Sequence, residues 1–267
     1  MSKTYRLFAI LLLIIVILPA LSASGSNPAS STPSRWAVVV GITKFSNSSV
    51  PTLRNADKDS ADFYDLLQEN GFSTDHVQLL QNLNATKKNI LGAITNWLPS
   101  VVKSDDVVIL YISTHCPPKN AVVSRSILIP SDGDEQRLSA TGIDIKDLLA
   151  GLSTRLGAKK ILCILETSHC DASDLAANGN FVMTSSGPKE NSYNSRRYHN
   201  SVFTHSLLGE LKPFRGNSTL ESVFKNASRK TDNEVQQDFA NSQHPQLAGG
   251  DASRVNFLLD TVPPDKP

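Results

Sequence analysis

Residues 107–113 read VVILYIS and run into Thr114-His115-Cys116; residues 160–165 read KILCIL and run into Glu166-Thr167-Ser168-His169-Cys170. Both are unbroken apolar runs of strand length, rich in β-branched residues and without polar alternation. That is the pattern of strands buried on both faces. Residues 36–42, WAVVVGI, repeat it, and shorter runs at 76–80, 126–129 and 181–185 suit further strands. The segments between them carry helical spacing. In 54–70, Ala56, Ser60, Phe63, Tyr64 and Leu67 share one face and Gly71 stands at the end as a C-cap. Thr86 can cap a helix through residue 98, and 144–155, 202–211 and 220–230 complete the set. Buried strands alternating with amphipathic helices give an α/β fold, a mostly parallel central sheet with helices on both faces. No linker interrupts residues 36–260, which read as one domain.

In open α/β sheets, ligands bind beyond the carboxyl ends of the strands. The runs ending at Ser113 and Leu165 therefore bring two polar clusters, each with a His and a Cys, to one sheet edge. His115 is the natural general base, because imidazole titrates near neutral pH. Ser168 offers a hydroxyl where a nucleophile could stand, and it equally suits a polar turn. Cys163 lies inside its strand, as an inert buried thiol does. His169 reads as a structural or solvent-facing neighbour. No third group that would orient His115 is apparent, and His76, His199, His205 and His244 show no pairing.

The 267 residues carry 26 Lys+Arg against 25 Asp+Glu, a net charge of +1, and 40% are apolar. This balance excludes a disordered polyelectrolyte and leaves no basic field for nucleic acid. Three Cys are too few for a disulfide-built scaffold.

The N-terminus has Lys3 and Arg6, an apolar run over 7–18, and a small-residue exit through Ala20, Ser22 and Ala23. Residues 1–25 thus read as a secretory signal peptide, or alternatively as a membrane anchor, although the run is short of the roughly 20 residues of a spanning helix. Either places the domain outside the cytosol; the membrane enters only through this segment if it is uncleaved. Residues 26–35 read as a linker and 261–267 as a tail. Sequons at Asn47, Asn84, Asn217 and Asn226 suit an exported glycoprotein.

Against this frame, an ordered series of segments resembles the caspase-like cysteine proteases, the superfamily of caspases, metacaspases and paracaspases. WAVVVGITKF at 36–45 looks like its first strand and LRNADKDSADFYDLLQENGF at 53–72 its first helix. ILYISTHC at 109–116 resembles the strand ending in the catalytic His-Gly, and ILETSHCD at 164–171 the strand ending in Asp-x-Cys-His-Ser-Gly. FVMTSSGPKENSY, SVFTHSLLGEL and QHPQLAGG resemble the later half of the family's domain. The spacing from His115 to Ser168 is close to the family's roughly 50 residues. The resemblance implies a three-layer sandwich. It also implies an oxyanion site made by the N–H groups of Cys116 and Ser168, and a pocket for the residue before the scissile bond. In the metacaspase-like branch that pocket is acidic and takes Arg or Lys; the matching positions are Asp59, Ser113 and Glu166.

The sequence departs from the family at both catalytic loops. Ser168 stands at the nucleophile position, Cys116 replaces the Gly after the His, Glu166 replaces Asp, and Cys170-Asp171 replace Ser-Gly. A serine hydroxyl is a much weaker nucleophile than a thiol at neutral pH. Without glycine's conformational freedom at residue 116, the oxyanion site is expected to suffer. The departures imply a catalytically degenerate domain that binds peptides or proteins, basic ones among them. The alternative is an active endopeptidase cleaving after Arg or Lys. In the family the two strands are neighbours, so Cys116 and Cys170 face each other and a disulfide between them is expected, with Cys163 unpaired. No cofactor is expected. Calcium enters by resemblance alone, since Asp132, Asp134 and Glu135 lack the spacing of a metal loop.

Overall fold

The computed structural model describes residues 33–120, 124–156, 161–176, 180–212 and 219–249. The expected signal segment, most of the linker and the tail lie outside these residues. No helix among the described residues is long and apolar enough to cross a membrane.

Six strands form one sheet: β1 (Arg35–Gly41), β2 (Val77–Gln81), β3 (Val107–Ser113), β6 (Ile161–Glu166), β7 (Phe181–Thr184) and β8 (Gln246–Ala248). Their order is β2-β1-β3-β6-β7-β8, and only β8 runs antiparallel. A separate two-stranded ribbon pairs β4 (Ile127–Leu128) with β5 (Ile143–Asp144). Every residue of β3 and β6 is buried, as their unbroken apolar character demands.

Successive side chains of a strand face opposite sides, so each strand feeds two cores. Val108, Leu110, Ile112, Ile161, Cys163 and Leu165 pack against α2 (Lys87–Leu91), α3 (Leu98–Val101), α5 (Ile145–Leu156) and α6 (Ala172–Leu175). Ile109, Tyr111, Leu162 and Ile164 pack against α1 (Ala56–Glu69), α7 (Val202–Leu211) and α8 (Leu220–Phe239). The result is the expected three-layer sandwich. The short helix α4 (Leu138–Thr141) lies beside the ribbon.

Several elements differ from the sequence reading. The helix expected over 86–98 does begin at the cap Thr86, whose hydroxyl accepts from Asn89 N at 3.2 Å, but a π-helical stretch, Gly92–Trp97, separates α2 from α3. Pro99 has no N–H to offer the carbonyl of Thr95, and the Arg155 guanidinium donates to that carbonyl instead, at 2.8 Å. Helix α8 continues nine residues beyond the expected end, to Phe239, because Thr231, Glu234 and Val235 keep a buried face. Of the sequons, Asn84 and Asn226 are exposed, Asn47 is half-buried, and Asn217 lies outside the described residues.

Candidate active site

Register aligns the carboxyl ends of three strands, with Gly41 beside Ser113 and Ser113 beside Glu166. The loops leaving β3 and β6 border a cleft of about 680 Å³ lined by His115, Cys116, Glu166, Ser168, His169 and Ser192 among others. The sheet edge thus gathers the residues expected there, and it adds His169, read from sequence as a bystander.

After β3 the chain is pinned to the strand-β4 loop. The Thr114 hydroxyl donates to Ile129 O at 2.7 Å and Ile129 N donates to His115 O at 3.0 Å. The His115 ring is tilted against Phe45, centroids 5.3 Å apart, and its Nε2 lies 2.8 Å from Pro51 O. A carbonyl only accepts, so Nε2 carries the proton and Nδ1 is the basic nitrogen. Pro51 is therefore the orienting third group that side-chain chemistry did not reveal.

Ser168 Oγ accepts from Ser192 N at 3.0 Å; no hydrogen bond joins it to His115 among the described residues. The next residue, His169, sits in the left-handed region at φ 63°, with its N–H donated to Glu190 O at 3.1 Å. Among the described residues, the N–H groups of Cys116 and Ser168 have no protein acceptor, the condition an oxyanion site requires. Cys116 does not adopt positive φ. Its side chain is 4% exposed and packs into the core, so glycine's freedom is not needed there.

Glu166 and Asp59 form the acidic floor. Glu166 lines the cleft yet is 3% exposed. Its Oε1 accepts from Ser192 Oγ at 2.5 Å; its Oε2 accepts from Thr204 N at 3.1 Å and Thr204 Oγ1 at 2.8 Å. Asp59 does not reach the cleft wall, unlike a direct pocket residue. It is wholly buried beneath Ser201, a lining residue, whose N–H and hydroxyl donate to it at 2.9 and 2.6 Å. Burial, then the charge of Glu166, pushes Asp59 up to about 8. Burial raises Glu166 as well. Two carboxylates in one low-dielectric site cannot both ionise cheaply, and they titrate as a pair. The third expected pocket residue, Ser113, reaches the wall with no hydrogen-bond partner of normal geometry for its hydroxyl.

Cys116 and Cys170 face each other as free thiols, Sγ to Sγ 3.1 Å, and Cys163 is likewise free and buried. Cys170 is wholly buried, which removes it as a nucleophile for a bound peptide. Asp132 and Asp134 are engaged locally. Asp132 accepts from Lys87 N at 2.7 Å, while Asp134 accepts from Gln136 N at 2.9 Å and pairs with Arg137.

Sequence reasoning missed Pro51, Ser192, Ser201 and Thr204. Pro51 acts through its carbonyl. Ser192 and Ser201 stand in polar stretches with no spacing to mark them, and Thr204 is a hydroxyl within the mainly apolar helix α7. A search of the curated proteins finds no match. A family model described as the caspase domain matches residues 34–255, and the chain belongs to that family.

Proposed function

We propose that this caspase-family domain holds a basic side chain of a peptide or protein over its acidic floor and no longer cleaves the chain it binds. The observation that carries this reading is the hydroxyl of Ser168 at the nucleophile position, engaged as an acceptor of Ser192 N–H and without a hydrogen bond to His115. A hydroxyl needs a base on its proton to attack a carbonyl at neutral pH, and here that contact is missing. Binding has independent support. The Cys116 and Ser168 N–H groups are available to a peptide carbonyl, and a cation against Glu166 at the cleft wall would draw a proton off the Glu166–Asp59 pair and hold the charge left there, best as a planar guanidinium. The basic and apolar N-terminus supports a site of action outside the cytosol.

A second reading, a slow serine-type endopeptidase cleaving after Arg or Lys, is favoured by the orientation of His115 on Pro51. Reporter peptides ending in Arg or Lys separate the two. The binding reading expects saturable binding without turnover, weakened at least tenfold in Glu166→Gln. Turnover by the wild type that Ser168→Ala abolishes would establish the second reading. Equal affinity for Arg- and Asp-bearing peptides would remove the acidic pocket from both.

A further inference from the structure

The Cys116 and Cys170 thiols already stand near bonding distance. The Cys170 thiol donates to Cys116 Sγ at 3.1 Å, and the two residues are 54 apart in sequence. A disulfide holds its sulfurs about 2.05 Å apart, so roughly 1 Å of side-chain movement closes the gap. Neither sulfur has another thiol to compete for it within its loop. Cys163 sits inside β6, wholly buried.

The two thiols do not stand equally. Cys116 lines the cleft and is 4% exposed; Cys170 lies behind it and is 0% exposed. Cys116 is the thiol nearer the cleft, so a reagent admitted as the two loops open meets it first, with Cys170 behind it as the resolving thiol. We propose that Cys116 and Cys170 form an oxidative modification site that reacts with a disulfide substrate and closes into a bridge between the two catalytic loops. The Cys116 thiolate attacks one sulfur of R–S–S–R, giving a mixed disulfide and R–S⁻. The Cys170 thiolate then attacks Cys116 Sγ, forming the Cys116–Cys170 bond and expelling a second R–S⁻. The two cysteine protons end on the two released thiolates. The cysteines lose two electrons and the reagent gains them.

The Cys170 contact and burial push the Cys116 thiol well up, so little thiolate is present at neutral pH and exchange is slow. Exchange is therefore fastest at alkaline pH or while the loops are still open during folding. Once closed, the bridge lies in the core, where reductants reach it slowly. It also fixes the separation of the His115 and Ser168 loops. This inference is independent of whether the domain binds or cuts peptides.

The test uses the full chain, equilibrated with oxidised glutathione or with dithiothreitol at pH 8.5 and then mapped by mass spectrometry without reduction. The expected result is one linked pair of peptides carrying Cys116 and Cys170, with Cys163 free, and a thermal midpoint roughly 5–10 °C above that of the reduced chain. Cys163→Ser should form the same link. Cys170→Ser should instead keep a glutathione adduct on Cys116, because the resolving thiol is gone. Free Cys116 and Cys170 after oxidation, glutathione on both, a link through Cys163, or a lowered midpoint in the linked form would each overturn the proposal.

Discussion

His115 donates through Nε2 to the carbonyl of Pro51 at 2.8 Å, which leaves Nδ1 as the nitrogen able to accept a proton. The base is thus oriented in a site whose nucleophile position holds a hydroxyl. The missing element is the thiol, and Ser168→Cys supplies it. Thiol-dependent hydrolysis of Arg-ended peptides is expected from this variant, inhibited by alkylation, with none from the wild type. Adding Cys116→Gly should bring no further gain. Cys116 is not at positive φ and its sulfur packs inward, so glycine there opens a void without improving the N–H. A large gain in the double variant would show that the Cys116 side chain obstructs the oxyanion position.

The sheet was legible because β3 and β6 are buried throughout and carry unbroken apolar runs. The ribbon of Ile127–Leu128 with Ile143–Asp144 was half legible: two-residue strands leave no period to read. Strand β8 is three half-buried residues held by pairing with β7, a tertiary fact. At the site, the strand-end rule reached His115 and Ser168 directly and put Glu166 beside them, but the pocket role of Glu166 came with the family resemblance. Asp59 came only with the family resemblance, since a carboxylate on an amphipathic helix looks solvated until its partner is known. That partner, Ser201, is 142 residues away. Pro51 was invisible for a different reason, since any residue type could supply its carbonyl.

Gly41 ends β1 where helix α1 begins its approach. A Cβ at that position would lie 2.1 Å from Ser60 Oγ and 2.2 Å from the backbone oxygen of Ala56. The backbone contact cannot be relieved by rotating a side chain, so the helix must shift. Gly41→Ala is expected to cost about 3 kcal/mol or more, read as a lowered urea midpoint at unchanged slope. It should also disturb the cleft, because α1 carries Asp59. A loss within about 0.5 kcal/mol would mean that α1 moves freely over the strand end.

Asp59 gives the fold a pH dependence. Its carboxyl titrates near 8 when folded and near its ordinary 3.8 when unfolded, so between these values the unfolded chain has released a proton that the folded chain keeps. Stability therefore falls as pH rises from about 4 towards about 8. Asp59→Asn keeps an acceptor for Ser201 and has no proton to lose, so its thermal midpoint should fall less over that range. A cation in the cleft favours the ionised pair, so Arg-peptide affinity should rise over the same range in the wild type. Parallel midpoint curves for wild type and variant would show that Asp59 is ionised in the fold at neutral pH.

Glu190 clasps the C-terminal segment to the loop behind Ser168. Its carboxylate accepts from Gly187 N at 3.0 Å and from His244 N at 2.8 Å, and its Oε1 lies 2.5 Å from His244 Nδ1. Its backbone carbonyl accepts from His169 N and from Ser186 Oγ. The hydrogen bond that His244 donates to the Glu190 carboxylate raises the imidazole above its ordinary value, with Asp232, 3.8 Å from Nε2, adding to the effect. A raised folded pKa means that the clasp contributes its full stability below about 6.5 and loses it as pH rises through the folded value. His244 is largely exposed, so the energy is small, but the titration is directly observable by NMR. The His244 resonance should titrate above 6.5, and Glu190→Gln should return it to the ordinary range. Amide exchange at residues 168–170 should quicken in the same variant, because Glu190 positions that turn. An unshifted His244 in the wild type would dissolve the clasp; a shifted His244 with unchanged exchange in the variant would detach it from the Ser168 loop.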